Sequence, residues 1–275
     1  MVGRLYLEHL TDSDLNRLAT VAEGASIASD PEALMRSLES PALYRALFHE
    51  TGREPLLQGS PFLLFSVLIH RAARDLGQAS FIEEWIGPRR RVPVFDVEAL
   101  RAFAADPMRR FFLAELLASY THVSSGSVMI QSRRGWRRRR FSELDPMRLI
   151  ELAELLGEAD RPSVYRRLGD LSLFLTGVFP DYAAERLVLQ RERGRLGQAL
   201  ERADREEGER QDGVWLLERI GRRAYKIAHR SADRPTAMTQ VLATVSENFA
   251  AGRRVLNFLT DRYLFPQRQQ WFGIG

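Results

Sequence analysis

Apolar residues recur at helical spacing through most of the chain. Leu43, Tyr44, Leu47 and Phe48 follow the i, i+3, i+4 rhythm of one helix face. So do Leu63, Leu64, Val67 and Leu68, then Phe111, Phe112, Leu116 and Tyr120, then Leu149, Leu152, Ala153 and Leu156. Each run follows a dipeptide of one form: Ser40-Pro41, Ser60-Pro61, Asp106-Pro107 and Asp145-Pro146, with Asp30-Pro31 ahead of them. The short acceptor side chain suits an N-cap, where it takes an orphan N–H of the first turn. Proline suits the first helical position, because it has no N–H to leave unpaired and already holds the helical φ. Five helix starts are predicted on this ground, and Gly157 fits the stop after the last run. Further helices are expected from Thr11 to about Glu23, opening on the weak capping box Thr11-x-x-Asp14, and over 164–178, 183–203, 214–228, 236–250 and 253–263. The charged stretch 201–213, with two glycines, reads as a solvated helix end and a loop.

Two segments break the helical rhythm. Residues 91–95 alternate but contain Pro93, so at most a short edge strand is expected. Residues 125–141 read as a hairpin. Val128 and Ile130 alternate with polar neighbours, Arg133-Arg134-Gly135 suits a turn, and Trp136 and Phe141 flank the return limb. An isolated hairpin is marginal in water, so this one needs the helical body or a partner to lean on. The predicted fold is therefore all-α, a compact multi-helix, bundle-like body with a short β-hairpin insertion. No repeat of fixed period is present. One domain over 1–275 is expected, with a sub-boundary at the hairpin 125–141 as the alternative.

Composition narrows the chemistry. With no cysteine, the chain forms no disulfide and has no thiolate metal site or cysteine nucleophile. Residues 1–10 lack the apolar core of a secretory signal, and the most apolar stretches, 62–69 and 171–179, are far short of a membrane span. They read as buried helix faces in a protein expected to be cytoplasmic. Net charge is +4, from 40 basic and 36 acidic residues. Lys226 is the only lysine. Arginine codon bias explains a chain-wide preference; only local clustering argues for selection of bidentate contacts.

One cluster is local. Arg133, Arg134, Arg137, Arg138, Arg139 and Arg140 fall within eight residues, interleaved with Trp136. Guanidinium forks pair with phosphates or carboxylates, and an aromatic ring at the turn can stack on a base. In a strand, Arg137 and Arg139 would face one way and Arg138 and Arg140 the other. A solvated hairpin, or an edge that binds an unknown protein partner, ranks ahead of nucleic acid or another polyanion. Arg89, Arg90 and Arg91 form a smaller cluster, which strengthens the polyanion reading if it lies beside the hairpin.

Other chemistries find little support. The histidines at 9, 49, 70, 122 and 229 are never three or four residues apart, His49-Glu50 lacks the second histidine of HExxH, and no carboxylate has the Glu-x-x-His partner of a di-metal bundle. His122 would be the first choice for a catalytic base, although a loop or capping role suits it better. No P-loop, dinucleotide fingerprint or serine elbow occurs, so no metal, cofactor or catalytic residue is assigned. The stretch 166–180 remains. Asp170 lies in an otherwise apolar helix with Arg166 one turn back, and a buried carboxylate needs a partner. Gly169 and Gly177 would let a neighbouring helix approach closely. A structural polar anchor is the preferred reading. The alternative makes Asp170, Ser172, Thr176 and Arg166 part of a small-molecule or enzyme pocket.

The run from Leu168 to Pro180, Leu-Gly-Asp-x-Ser-Leu-Phe-Leu-x-Gly-x-Phe-Pro, resembles a segment of helical bacterial proteins of unknown function. The closing Asp261-Arg262-Tyr263-Leu264-Phe265-Pro266, with Trp271-Phe272-Gly273, is similar in character. The resemblance covers a few dozen residues and implies no activity, only that the second half is a coherent unit.

Overall fold

The computed structural model describes residues 2–21, 27, 29–48, 58–87, 90–121, 125–132, 135–142, 144–184, 213–232, 234–265 and 268–272, with backbone alone at 86, 87, 90 and 125–142. The protein is all-α with short β-hairpins. In chain order the elements are α1 (Val2–His9), α2 (Asp12–Val21), α3 (Pro31–Leu38), α4 (Pro41–Phe48), α5 (Pro61–Gln78), β1 (Ile82–Gly87), β2 (Arg90–Val94), α6 (Glu98–Ala105) and α7 (Pro107–Ser119). There follow β3 (Ser125–Ser132), β4 (Gly135–Ser142), α8 (Pro146–Leu155), α9 (Arg161–Val178), α10 (Gly213–Arg230), α11 (Ala237–Glu247), α12 (Phe249–Leu259), a π-helical turn (Thr260–Leu264) and α13 (Arg268–Phe272).

All five Ser/Asp-Pro pairs open a helix with proline in its first turn. The Asp30 carboxylate accepts from the Glu32 and Ala33 amides, Ser60 Oγ from Leu63, Asp106 from Arg109, and Asp145 from Met147 and Arg148. Ser40 Oγ accepts from the Ala42 amide at 3.2 Å. The weak box at α2 is real and does more than cap. Asp14 accepts from the Thr11 amide and hydroxyl, while its other oxygen accepts from the Ser60 amide at 2.9 Å. One buried carboxylate thus ties the start of α2 to the start of α5.

Several elements lack such signals. The Val97 N-cap of α6 makes no side-chain hydrogen bond, so no capping pattern marks that start. In α1, Gly3 interrupts the pattern for a tertiary reason: a Cβ there would stand 2.6 Å from the Pro31 carbonyl oxygen. The expected helices 236–250 and 253–263 instead divide at Asn248, whose Nδ2 donates to the Thr244 carbonyl. Strand β1 has no counterpart in the sequence reading, and β2 matches the expected edge strand closely. The expected helix 183–203 and the loop 201–213 lie almost wholly outside the described residues.

The chain forms two compact units. Unit 1 comprises Met1–Ile82, Phe95–His122 and Phe258–Gly275; unit 2 comprises Glu83–Val94 and Val123–Asn257. Each is built around one long helix. In unit 1, residues 62–70 of α5 are all buried, against α7, α6, α4 and α3. In unit 2, residues 168–178 of α9 are all buried, with α10 along one side and α8 on another. A helix apolar on every face belongs at a centre rather than a surface. The two most apolar stretches of the chain are these two central helices.

Candidate functional site

Strands β3 and β4 pair antiparallel, from Ser125 opposite Ser142 to Ser132 opposite Gly135. Trp136 pairs with Gln131, Arg137 with Ile130, Arg138 with Met129, Arg139 with Val128 and Arg140 with Ser127. The expected turn residues Arg133 and Arg134 lie outside the described residues. The residues of β3 that the register sets opposite the arginine run carry no charge by sequence. Cross-strand pairs are the unit of sheet stabilisation, and none of the residues paired with an arginine by this register is acidic. Among the described residues the sheet has only these two strands, so both outer edges are without a paired strand; β4 lies against α8.

Charge divides unevenly between the units. Unit 1 holds 12 basic and 15 acidic residues, and unit 2 holds 28 and 21. Residues 125–142 carry six arginines and no acid, against +4 for the whole chain, so the remainder of the protein is net acidic. The smaller cluster at Arg89, Arg90 and Arg91 belongs to the same unit as the hairpin. Arginine is enriched everywhere, but its excess over acid is local.

Asp170 is buried in α9. It accepts from the Tyr225 hydroxyl of α10 at 2.9 Å and pairs with Arg166 Nε at 3.8 Å. The hydroxyls expected to share a pocket with it are committed to their own helix: Ser172 Oγ donates to the Leu168 carbonyl at 2.8 Å, and Thr176 Oγ1 to the Ser172 carbonyl at 2.7 Å. Small residues bring the neighbours close. A Cβ at Gly169 would lie 2.5 Å from the Tyr225 ring, and one at Gly177 would lie 2.6 Å from Leu256 Cβ. An open cleft of about 750 Å³ lies elsewhere in unit 2, between the first turn of α9 and the end of α10. Arg161, Pro162, Tyr165, Ile227 and Ser231 are among its lining residues.

Two polar clusters escaped the sequence reading. In unit 2, Arg253 of α12 is buried between two carboxylates, with Nη2 to Glu84 Oε1 at 2.6 Å and Nε to Glu218 Oε2 at 3.3 Å. Arg254 reaches the other Glu84 oxygen at 2.8 Å. Burial pushes the Glu84 carboxyl up, but the two guanidinium groups overcome it and hold the carboxyl below the ordinary range. Asn257 extends the cluster, donating to the Thr176 and Gly177 carbonyls at the end of α9. Nearby, Trp85 Nε1 donates to Asp181 at 2.7 Å. In unit 1, His70 of α5 lies between the Tyr6 hydroxyl of α1 at 3.2 Å and the Glu39 carboxylate at 3.3 Å. No local spacing announces either cluster, because their members are separated by tens of residues in sequence. Among the described residues, no group of three or more acids and histidines is placed to hold a metal ion. Nor is any helix there long and apolar enough to cross a membrane.

Comparison with known proteins finds no match: no protein family, no curated protein and no solved structure matches this chain.

Proposed function

We propose that this chain is a non-catalytic interaction protein that holds an acidic protein segment against the arginine hairpin of unit 2. The observation that supports this reading is the charge pattern. Six arginines fall in one hairpin that contains no acid, inside a protein that is otherwise net acidic. Like charges close together in one short segment repel one another, and an anionic partner relieves that repulsion. The sheet edges suit an extended peptide, whose main chain can add as a further strand while its carboxylates meet the guanidinium forks. Arginine and tryptophan are also the side chains that most often dominate binding energy at protein interfaces.

Nucleic acid is the second reading, supported by the sequence position of Trp136 beside the arginine run and by the second arginine cluster in the same unit. Fluorescence anisotropy separates the two. A labelled Glu/Asp-rich peptide and labelled single- and double-stranded DNA and RNA would be titrated with the intact chain. The first reading expects saturable peptide binding stronger than any nucleic-acid binding. Preference for the nucleic acids would replace it with the second, and binding of neither class would remove both.

A further inference from the structure

The polar chain through His70 links three helical segments across the core of unit 1 and ends at a half-exposed carboxylate. The His70 side chain is 1% exposed, while that of Glu39 is 57% exposed. Tyr6, at the far end, is fully buried, with its ring in contact with Phe62 and Phe111. With Glu39 ionised, Nδ1–H of His70 donates to it, which leaves Nε2 as the acceptor for the Tyr6 hydroxyl. Every member is satisfied only when the imidazole is neutral. A second proton on Nε2 would make both ring nitrogens donors. The Tyr6 hydroxyl would then have to accept, and its own hydrogen would lose the acceptor that His70 Nε2 provides.

We propose that this Tyr6–His70–Glu39 chain is a proton-sensitive latch that releases α1 and the end of α3 from α5 when the imidazole is protonated. The charged groups facing the ring are few. Glu39, just beyond α3, is the one that would welcome a cation. Arg110 of α7 lies 3.7 Å from Glu39 and opposes it, and α1 offers only the neutral Tyr6. On α5 itself, Arg74 donates to the Glu39 backbone carbonyl. Burial and Arg110 outweigh Glu39, so the His70 pKa lies below its ordinary value. The sign follows from linkage. Below the ordinary histidine value of about 6.5, the unfolded chain binds a proton that the folded unit refuses. Stability is therefore full above that pH and falls as pH drops through it, until the folded imidazole itself titrates. Glu39 has a depressed pKa, chiefly from its hydrogen bond with His70, so its own contribution starts to be lost as pH falls through the ordinary carboxylate value and is gone below the lower folded value; the two windows are distinct.

The test is hydrogen exchange on the intact chain between pH 7.5 and 5.5, corrected for intrinsic rates, alongside His70→Gln. In the unaltered protein, the opening constant of α1 and α3 amides should rise by up to about tenfold per pH unit below about 6.5, while α9 amides stay unchanged. In H70Q that rise should disappear. An NMR titration of the His70 ring in the unaltered protein gives a second readout, should the variant fold poorly. A ring that titrates at its ordinary value, with α1 protection unchanged at pH 5.5, would overturn the proposal. So would the same pH dependence in both proteins.

Discussion

Helices α5 and α9 are each buried for more than two turns, but they are held in different ways. Around α5 the space is filled with rings: Phe65 stacks on Phe272 at 5.6 Å and packs against Trp271 at 5.3 Å, and Phe62 meets Phe111. Around α9 the contact is made by small residues, with Gly169 under the Tyr225 ring and Gly221 of α10 under Phe249. Its buried polar atoms are fixed individually, Asp170 by Tyr225 and the last carbonyls by Asn257. The middle of α5 thus depends chiefly on ring volume, with its paired polar group, His70, at the end of the buried stretch, and α9 depends more on close approach and paired polar groups. Removing atoms should harm the first most, and adding atoms or breaking pairs should harm the second.

The largest expected effect is in the ring-filled unit. Phe65→Ala should cost about 4 kcal/mol in chemical denaturation, because the stacked Phe272 and Trp271 cannot both collapse into the void. Next is the ion cluster of unit 2. Glu84→Ala should cost about 3 kcal/mol by leaving Arg253 buried with half its carboxylate partners. Gly169→Val should cost about 2 kcal/mol through a clash with the Tyr225 ring, and exchange of α9 and α10 amides should rise before that of α5 amides. If G169V loosens both helices equally, the contrast between the units fails. The smallest effect expected is at a cap. Asp145→Ala should lower stability by about 1 kcal/mol and speed exchange only in the first turn of α8.

The helix starts were legible because their cause is local: a short acceptor, then proline, then an apolar face. The β3–β4 hairpin was legible from alternation, although the glycine expected in the turn, Gly135, opens β4 opposite Ser132. Helix α6 lacks a side-chain cap, and α1 carries a glycine whose purpose is Pro31, twenty-eight positions away in the chain. The same distance in sequence hid the polar clusters. Glu84 and Arg253 look like ordinary charges until β1 and α12 meet, and His70 looks like a lone histidine until Tyr6 and Glu39 arrive from either side. Asp170 could be flagged from its apolar surroundings. Its partner Arg166 was visible one turn away, whereas Tyr225 was not.

We propose for the arginines of β4 the role of a contact for an acidic partner, which solvated surface would not have. Its most direct test compares the intact chain with a variant carrying Arg137→Ala, Arg138→Ala, Arg139→Ala and Arg140→Ala. Anisotropy of a labelled Glu/Asp-rich peptide would be read at two salt concentrations, with thermal denaturation as the control for folding. Saturable binding that weakens with salt and is lost in the variant at an unchanged melting temperature is expected. Equal binding by the two proteins, or none by the intact chain at low salt, would contradict it.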